Sequence, residues 1–536
     1  MLEIQVENIA DALNRYPTLI IAYYARDRLC SRTYADLLND VNFAKVRLQG
    51  MGIRSGMRIG ILADNEYSWV VLDLALISMR CVSVSFPTGH FKFRNLDELA
   101  TEYGLQFLFA GESYMPKAGP SWIAPMGAVC AQGVEAGTFR ARSPIGPAAA
   151  DTIEEGVFAL TFSSGTSGKL KCLKICYAGL NAFLDACADR VALLEGDSLL
   201  VFLPLSGFPQ RELVYASIIN GISFAVCSPF QMFLALSDFK PTILAAPPAV
   251  YELVESSLRK YVRNSGECTN DGDFRAMVKR AISSADSPSL RSTLDLGGRL
   301  RIAITCAAPS RLSTLTLFNK TLGIPLLQCY GLTETGYLTC NWPDANRIGT
   351  VGKELFPGSL KIAADGELLY SPKTPVALGY FGCSSEETRK TFCDDGLIAT
   401  GDIVEIDSDG YYRIVGRKKN VIVLQTGVKV QPEELEEVLK TNSLIKGAAI
   451  FGGGEVSVIT AVVSLGDDDS EECRKSIREF VELGNGVRAP ECGIGRLVFT
   501  SELFTVDNGL LNRAEKLNRT AIYQRFIAPI VSRGCG

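Results

Sequence analysis

The chain has 536 residues, 47% of them hydrophobic and 21% charged, the balance of a folded protein of several domain-sized units rather than of a disordered one. Its 54 basic and 59 acidic residues give a net charge of −5, so no global positive field draws it to nucleic acid or anionic lipid. The single histidine, His90, argues against a histidine-based zinc site or a Ser-His-Asp triad, and 16 scattered cysteines behind an N-terminus without a signal-peptide layout indicate a reducing, cytoplasmic setting.

In chain order, apolar runs alternate with helical patterns. Arg58 to Ala63 predicts a strand, Trp69 to Met79 a helix and Val82 to Phe86 a second strand. Gly119 to Ala150, rich in Gly, Pro, Ala and Ser, reads as a surface connection. Val157 to Phe162 and Asp197 to Pro204 predict further strands. The uncharged stretch Leu213 to Ser237 is broken by Asn220, Gly221 and Pro229, so it reads as helix, turn and core strand (Ile222 to Cys227) and not as a transmembrane segment. Thr242 to Ala246 and Leu300 to Cys306 add strands, a rhythm that predicts α/β layers with largely parallel sheets. After Gly366 short strands and acidic turns predict a β-rich subdomain. From Gly416 onward the pattern is β, a helix from Pro432 to Lys440, strands at Gly447 to Phe451 and Val456 to Val463, and a helix from Glu471 to Leu483. The expected fold is α/β: a large N-terminal domain of layered α/β subdomains plus a β-rich subdomain (1–416), and a small α+β C-terminal domain (417–536).

The strand ending in Thr161 and Phe162 runs into Ser163-Ser164-Gly165-Thr166-Ser167-Gly168-Lys169, with Lys171 just beyond. Glycines let backbone N–H groups approach phosphate oxygens, hydroxyls add donors, and a lysine supplies charge. Walker A spacing fails because Leu170 follows the final Gly-Lys pair, and the loop taken alone also fits a surface hairpin. Three further segments bear on it: Gln328-Cys329-Tyr330-Gly331-Leu332-Thr333-Glu334-Thr335-Gly336, then Thr400-Gly401-Asp402, then Gly416-Arg417-Lys418-Lys419-Asn420 ahead of Thr426 to Glu434.

With these segments in this order, the sequence resembles the adenylate-forming (AMP-forming) superfamily of acyl-CoA synthetases, non-ribosomal adenylation domains and luciferases. The resemblance runs from Arg32–Leu37 and Gly56–Ile61 to Arg519. Leu203-Pro204-Leu205-Ser206-Gly207, Pro248 to Glu252, and Asn508 to Leu511 with Lys516 to Arg519 are most similar to the fatty acyl-CoA synthetase branch. The resemblance implies activation of a carboxylic acid by ATP to an acyl-adenylate with release of pyrophosphate, then transfer to CoA. ATP and Mg²⁺ are the implied cofactors and CoA the implied co-substrate. Ser163 to Lys171 would form a mobile loop over the β- and γ-phosphates. Cys306-Ala307-Ala308-Pro309 would lie against adenine, Tyr330 and Gly331 would pack on it, Thr333 would bond phosphate, and Glu334 would hold Mg²⁺. Asp402 would accept hydrogen bonds from the ribose hydroxyls, assisted by Arg417. Lys419 matches the hinge to a mobile C-terminal domain, and Lys516 would reach the carboxylate and α-phosphate.

This chemistry suits a chain with one histidine. The attacking acid is already ionised near neutral pH, so catalysis is mainly positioning plus electrostatics. Two alternatives share most of these residues: a ligase whose acceptor is an acyl carrier protein thiol or a nitrogen nucleophile, and a non-catalytic nucleotide-binding homologue. Each assigned residue also has an ordinary role open to it: Tyr330 as a core aromatic, Glu334 as a helix cap, Asp402 as a turn acid, and Lys516 as a solvated lysine on a helical face shared with Arg513 and Arg519. Lys418 reads as plain surface. Four departures stand out: Gly207 where the family usually has a histidine beside the acyl pocket, Tyr177 where Thr-His is usual, and Cys172 and Cys306 in place of glycines.

Overall fold

The computed structural model describes residues 4–25, 27–91, 94–116, 120–130, 140–143, 153–163, 170–264, 296–424, 429–453, 456–486, 493–512 and 515–533. The chain divides into two compact units, Met1–Leu360 with Tyr370–Ile398, and Lys361–Leu369 with Ala399–Gly536.

Two sheets organise the first unit. The seven-stranded sheet runs in the order Ala377–Phe381, Lys171–Cys176, Val157–Ser163, Val82–Ser85, Arg58–Leu62, Phe107–Ala110, Ile123–Pro125. The nine-stranded sheet runs Lys353–Glu354, Gly336–Cys340, Leu326–Leu332, Ile302–Thr305, Ile243–Ala246, Ser198–Val201, Ser223–Val226, Ile20–Ala25, Arg28–Thr33. Their central strands are parallel, as is the edge pairing of Phe107–Ala110 with Ile123–Pro125, and the other outer pairings are antiparallel. Parallel strands need crossover helices, which cover both faces, so the central strands read as unbroken apolar runs. Arg58–Leu62 and Val157–Ser163 are buried at every position. The α/β expectation holds, with each expected strand found within a few residues of its forecast limits.

The segment expected to be a surface connection differs. Where described, it contains the edge strand Ile123–Pro125, with Trp122, Ala124 and Ala128 buried. A short Trp-Ile-Ala run there adds a strand to the sheet, and the surrounding Gly, Pro and Ser content masks that signal. The uncharged stretch resolves into the helix Phe208–Ile219, the strand Ser223–Val226 and the helix Met232–Phe239. Among the described residues no helix is long and apolar enough to cross a membrane.

The helix Tyr67–Ser78 is buried almost throughout, and Asp73 is the one charge in that buried run. Its answer comes from Phe208–Ile219: Arg211 Nη2 lies 2.5 Å from Asp73 Oδ1 and 2.9 Å from Ser83 Oγ, and Tyr215 donates to Asp73 Oδ2 at 2.6 Å. Burial still holds the Asp73 carboxyl above its usual range, although Arg211 pulls it down.

The second unit is built on a four-stranded antiparallel sheet (Leu360–Ile362, Glu367–Tyr370, Ile398–Ile406, Tyr412–Arg417) and a three-stranded sheet (Gly447–Gly453, Val456–Ser464, Arg496–Thr500). The helices Pro432–Lys440 and Glu471–Asn485 pack Leu435, Leu439, Ile477 and Val481 onto Ile450 and Val463 of the latter.

Removing one partner of a buried ion pair strands the other charge, which typically costs about 3–5 kcal/mol. Asp73→Ala is therefore expected to lower the urea unfolding free energy by about that amount. A loss under about 1 kcal/mol, the range of exposed pairs, would show that the pair does not hold the two helices together.

Candidate functional site

The strands Val157–Ser163 and Lys171–Cys176 form a hairpin in which Ser163 pairs with Lys171. Residues 164–169 of the expected phosphate loop, Ser164, Gly165, Thr166, Ser167, Gly168 and Lys169, lie outside the described residues. Of the rest, Thr161 is fully buried and donates to the Ser206 carbonyl at 3.3 Å, tying this strand to the segment that leads into Gly207. Ser163, at the mouth of the loop, donates to Glu334 Oε1 at 3.0 Å.

Glu334 sits with Thr333 and Thr335 at the tip of a second hairpin, in which Leu332 pairs with Gly336. Two glycines make this turn possible. Gly336 takes φ +68°, and a Cβ on Gly331 would stand 2.1 Å from the Gly336 carbonyl oxygen. The turn buries Glu334 to 9% exposure. The Tyr380 hydroxyl donates to the same Glu334 Oε1 at 3.0 Å and lies 3.3 Å from Thr391 Oγ1. Both hydroxyls converge on one carboxylate oxygen and leave Oε2 to other partners. Lys171 stands 4.5 Å above the Tyr380 ring and pairs with Glu387 at 2.6 Å. Burial and the Glu334 charge raise the Tyr380 phenol above its usual range, and Lys171 lowers the Glu387 carboxyl below its own.

Beside this hairpin the strand Ile302–Thr305 ends in Cys306-Ala307-Ala308-Pro309, with Ala307 to Pro309 exposed. Ala307 has φ +77°, a left-handed conformation that strains any residue with a Cβ. The strain of this departure thus falls on Ala307 and not on Cys306. Tyr330 is half-buried. Cross-strand pairing and alternation put Thr305, Gln328 and Thr339 on its face of the sheet. Thr305 Oγ1, Gln328 Oε1 and Thr339 Oγ1 are buried without a hydrogen-bond partner among the described residues.

Gly207 precedes the helix Phe208–Ile219, with Pro209 in the first turn, and a Cβ there would approach the Pro204 carbonyl oxygen to 3.2 Å. Tyr177 stacks on Phe158 at 4.3 Å, and Cys172 is buried opposite Phe162 in the hairpin.

In the second unit, Asp402 and Arg417 are direct cross-strand partners, and Arg417 Nε lies 2.7 Å from Asp402 Oδ1. Asp402 is buried, and its amide donates to Thr400 Oγ1 at 3.1 Å. Lys418, expected as plain surface, joins Asp365 and Glu367 at 2.7 and 2.6 Å and so ties the end of this sheet together. Lys419 follows in the 3₁₀ turn Lys418–Asn420; partial burial, with Arg417 and Arg519 nearby, lowers its pKa.

The surroundings of Lys516 differ from the expected helical face. Leu511 bridges Leu517, the Asn512 amide donates to the Lys516 carbonyl at 2.8 Å, and the Lys516 amide donates to Asn512 Oδ1 at 3.0 Å. This is a tight turn, with Glu515 at φ +56° and the helix beginning only at Arg519. Lys516 is exposed on it. Arg519 anchors the turn from behind, pairing with Glu436 at 2.8 Å and donating to the Ile450 carbonyl at 3.1 Å.

Sequence reasoning missed Tyr380, Thr391 and Glu387. They lie in the strand Ala377–Phe381 and just after it, more than 200 residues from the loop that they meet, with only strand periodicity to mark them.

The profile of the AMP-binding enzyme family matches residues 9–380, and that of the AMP-binding enzyme C-terminal domain matches residues 419–530. Over 573 aligned residues the chain is 26% identical to a long-chain-fatty-acid–CoA ligase of Mycobacterium bovis, covering 93% of this chain and 91% of the relative. It is 24% identical to long-chain-fatty-acid–CoA ligase 1 of Homo sapiens over 426 residues, 70% of this chain and 60% of that one. In fold it is similar to the adenylation domain of a carboxylic acid reductase from Segniliparus rugosus, with a TM-score of 0.73, 18% identity and coverage of 98% and 93%. It is also similar to an anthranilate CoA ligase bound to anthranoyl-AMP, with a TM-score of 0.71, 19% identity and 98% coverage of each chain.

The strain at Ala307 yields a stability forecast. Glycine adopts a left-handed conformation freely, so Ala307→Gly should raise the unfolding free energy by about 1 kcal/mol in urea titration. An unchanged or lower midpoint would mean that the strand end does not hold this conformation in solution.

Proposed function

The chain belongs to the AMP-binding enzyme family, and from that premise we propose how its residues divide the work. It is an AMP-forming, acyl-CoA synthetase-like ligase: ATP and a carboxylic acid give an acyl-adenylate and pyrophosphate, and the CoA thiol then displaces AMP. Our reading of the site is carried by one observation, the Ser163–Glu334–Tyr380 cluster at the mouth of the phosphate loop.

Two hydroxyls fix Glu334 Oε1 and so orient the other oxygen, a hard donor of the kind that Mg²⁺ takes one or two of beside phosphate oxygens. Among the described residues no group of three or more candidate ligands exists, which suits a cation held mainly by its nucleotide. Bound there, Mg²⁺ supplies positive charge against the leaving pyrophosphate. Thr333, beside Glu334 at the hairpin tip, donates to phosphate. The glycines, hydroxyls and lysines in the sequence of 163–171 suit a loop that would cover the β- and γ-phosphates. Tyr330 stacks on the adenine ring against the strand end Cys306 to Pro309. The unpartnered oxygens of Thr305 and Gln328 support a polar ring edge there.

Asp402 accepts from the ribose hydroxyls, held in place by Arg417. Lys516 brings positive charge to the carboxylate and α-phosphate, where two anions must meet, and its exposure on an anchored turn supports that role. Residues 417–536 act as the mobile domain, hinged at Lys419. Gly207 opens the acid entrance. Our reading keeps the reducing, cytoplasmic setting, in which cysteines stay reduced, and the thirteen described cysteines form no disulfide among the described residues.

Lys516→Ala should cut acid-dependent pyrophosphate release by about a hundredfold or more while leaving thermal unfolding unchanged. Activity within a few-fold of wild type would remove the lysine from the mechanism. CoA should accelerate AMP release. If CoA leaves it unchanged while acyl-adenylate accumulates, the acceptor is a carrier-protein thiol or a nitrogen nucleophile.

A further inference from the structure

A carboxylate oxygen in the second unit also gathers segments that are distant in sequence. Asn420, the last residue of the turn Lys418–Asn420, donates from Nδ2 to Glu433 Oε1 at 2.6 Å. Glu433 lies in the first turn of the helix Pro432–Lys440. Arg519 Nη2 approaches the same Oε1 at 3.5 Å, while its guanidinium grips Glu436, one turn further along that helix, at 2.8 and 2.9 Å.

The other oxygen of Glu433 faces the strand that enters the turn. A Cβ on Gly416 would stand 2.7 Å from Glu433 Oε2 and 2.6 Å from Gln431 Oε1, so only glycine lets the start of the helix come this close. Both oxygens are buried without a hydrogen-bond partner among the described residues. A buried acceptor left open works against stability, so the placement of Glu433 calls for another explanation. Arg417, the partner of Asp402, follows Gly416 directly. Within one unit, Glu433 therefore touches the end of the Asp402–Arg417 ladder, the turn that contains Lys419 and the arginine that braces the Lys516 turn.

We propose that Glu433 is a positioning residue for Lys516, fixing the angle at which the body of the small domain leaves the hinge turn. This inference rests on the reading above, in which Lys419 is the hinge and Lys516 serves adenylation. Arg519 ties the Lys516 turn to the same helix, so any angular play between the hinge turn and the helix is carried to the lysine ammonium. Stabilising two converging anions depends steeply on where the positive charge stands, which makes adenylation sensitive to that play. Transfer to CoA makes no use of Lys516 in this reading and is insensitive to it.

The test compares two steps in the full-length enzyme: pyrophosphate release with the best of a panel of saturated fatty acids, and CoA-dependent release of AMP from the matching acyl-adenylate supplied preformed. Glu433→Ala is expected to lower kcat for pyrophosphate release about tenfold or more, with KM for ATP and acid within about twofold of wild type. The CoA step should stay within a few-fold. Asn420→Ala removes the donor at the turn and leaves the helix intact; it should act in the same way, and it carries the comparison if Glu433→Ala does not fold. The double variant should lose no more than the worse single one, because both changes break one link. Glu433→Gln, which keeps an acceptor oxygen, should retain most of the activity. Equal losses in both steps would mark a purely structural role and overturn the proposal, as would full activity of Glu433→Ala or additive losses in the double variant. Wild type without pyrophosphate release, or Lys516→Ala with release undiminished, overturns instead the reading beneath it.

Discussion

A carboxylate can be kept out of water only if its lone pairs find donors or cations, and that constraint shapes the first unit around Glu334. The chain brings Ser163 from one hairpin and Tyr380 from a strand more than 200 residues later onto a single oxygen of that side chain. Three elements distant in sequence are thereby pinned at one point: the end of the strand Val157–Ser163, the tip of the Thr333–Glu334 turn and the edge strand Ala377–Phe381. The arrangement commits one oxygen to the fold and leaves the other to further partners, in our reading the magnesium ion.

The layered α/β architecture was legible because parallel strands buried on both faces leave long apolar runs, as in Arg58–Leu62, while helices such as Pro432–Lys440 carry clear 3.6-residue periodicity. The edge strand Ile123–Pro125 was not legible, since three residues among glycines and prolines carry too little pattern. At the site, local motifs marked Glu334, Asp402 and Arg417, whose neighbours in sequence are also neighbours in the turn or ladder. The hydroxyl and ion-pair partners Tyr380, Thr391 and Glu387 arise from tertiary pairing and leave no local trace. The turn bearing Lys516 was read as helix because Arg513, Lys516 and Arg519 fall at helical spacing. The Leu511–Leu517 bridge and the left-handed Glu515 override that spacing.

The departures from the family pattern also separate into kinds. Tyr177 and Cys172 are absorbed into packing, one stacked on Phe158 and the other buried within the sheet. Beside Cys306, Ala307 carries a conformational cost at the strand end that our reading assigns to adenine. Gly207 leaves a side chain out just before the helix Phe208–Ile219, where a Cβ would approach the Pro204 carbonyl.

The clamp between Arg519 and Glu436 bears on how the charge that we propose for Lys516 would be aimed. Lys516 rides on a turn braced directly against the helix Pro432–Lys440 and the strand Gly447–Gly453. Its backbone is therefore tied to the body of the second unit, and under the proposed mechanism the ammonium group would go where that body carries it. In the proposed reading, the timing of charge delivery would then belong to the small domain as a body, not to the swing of one flexible side chain.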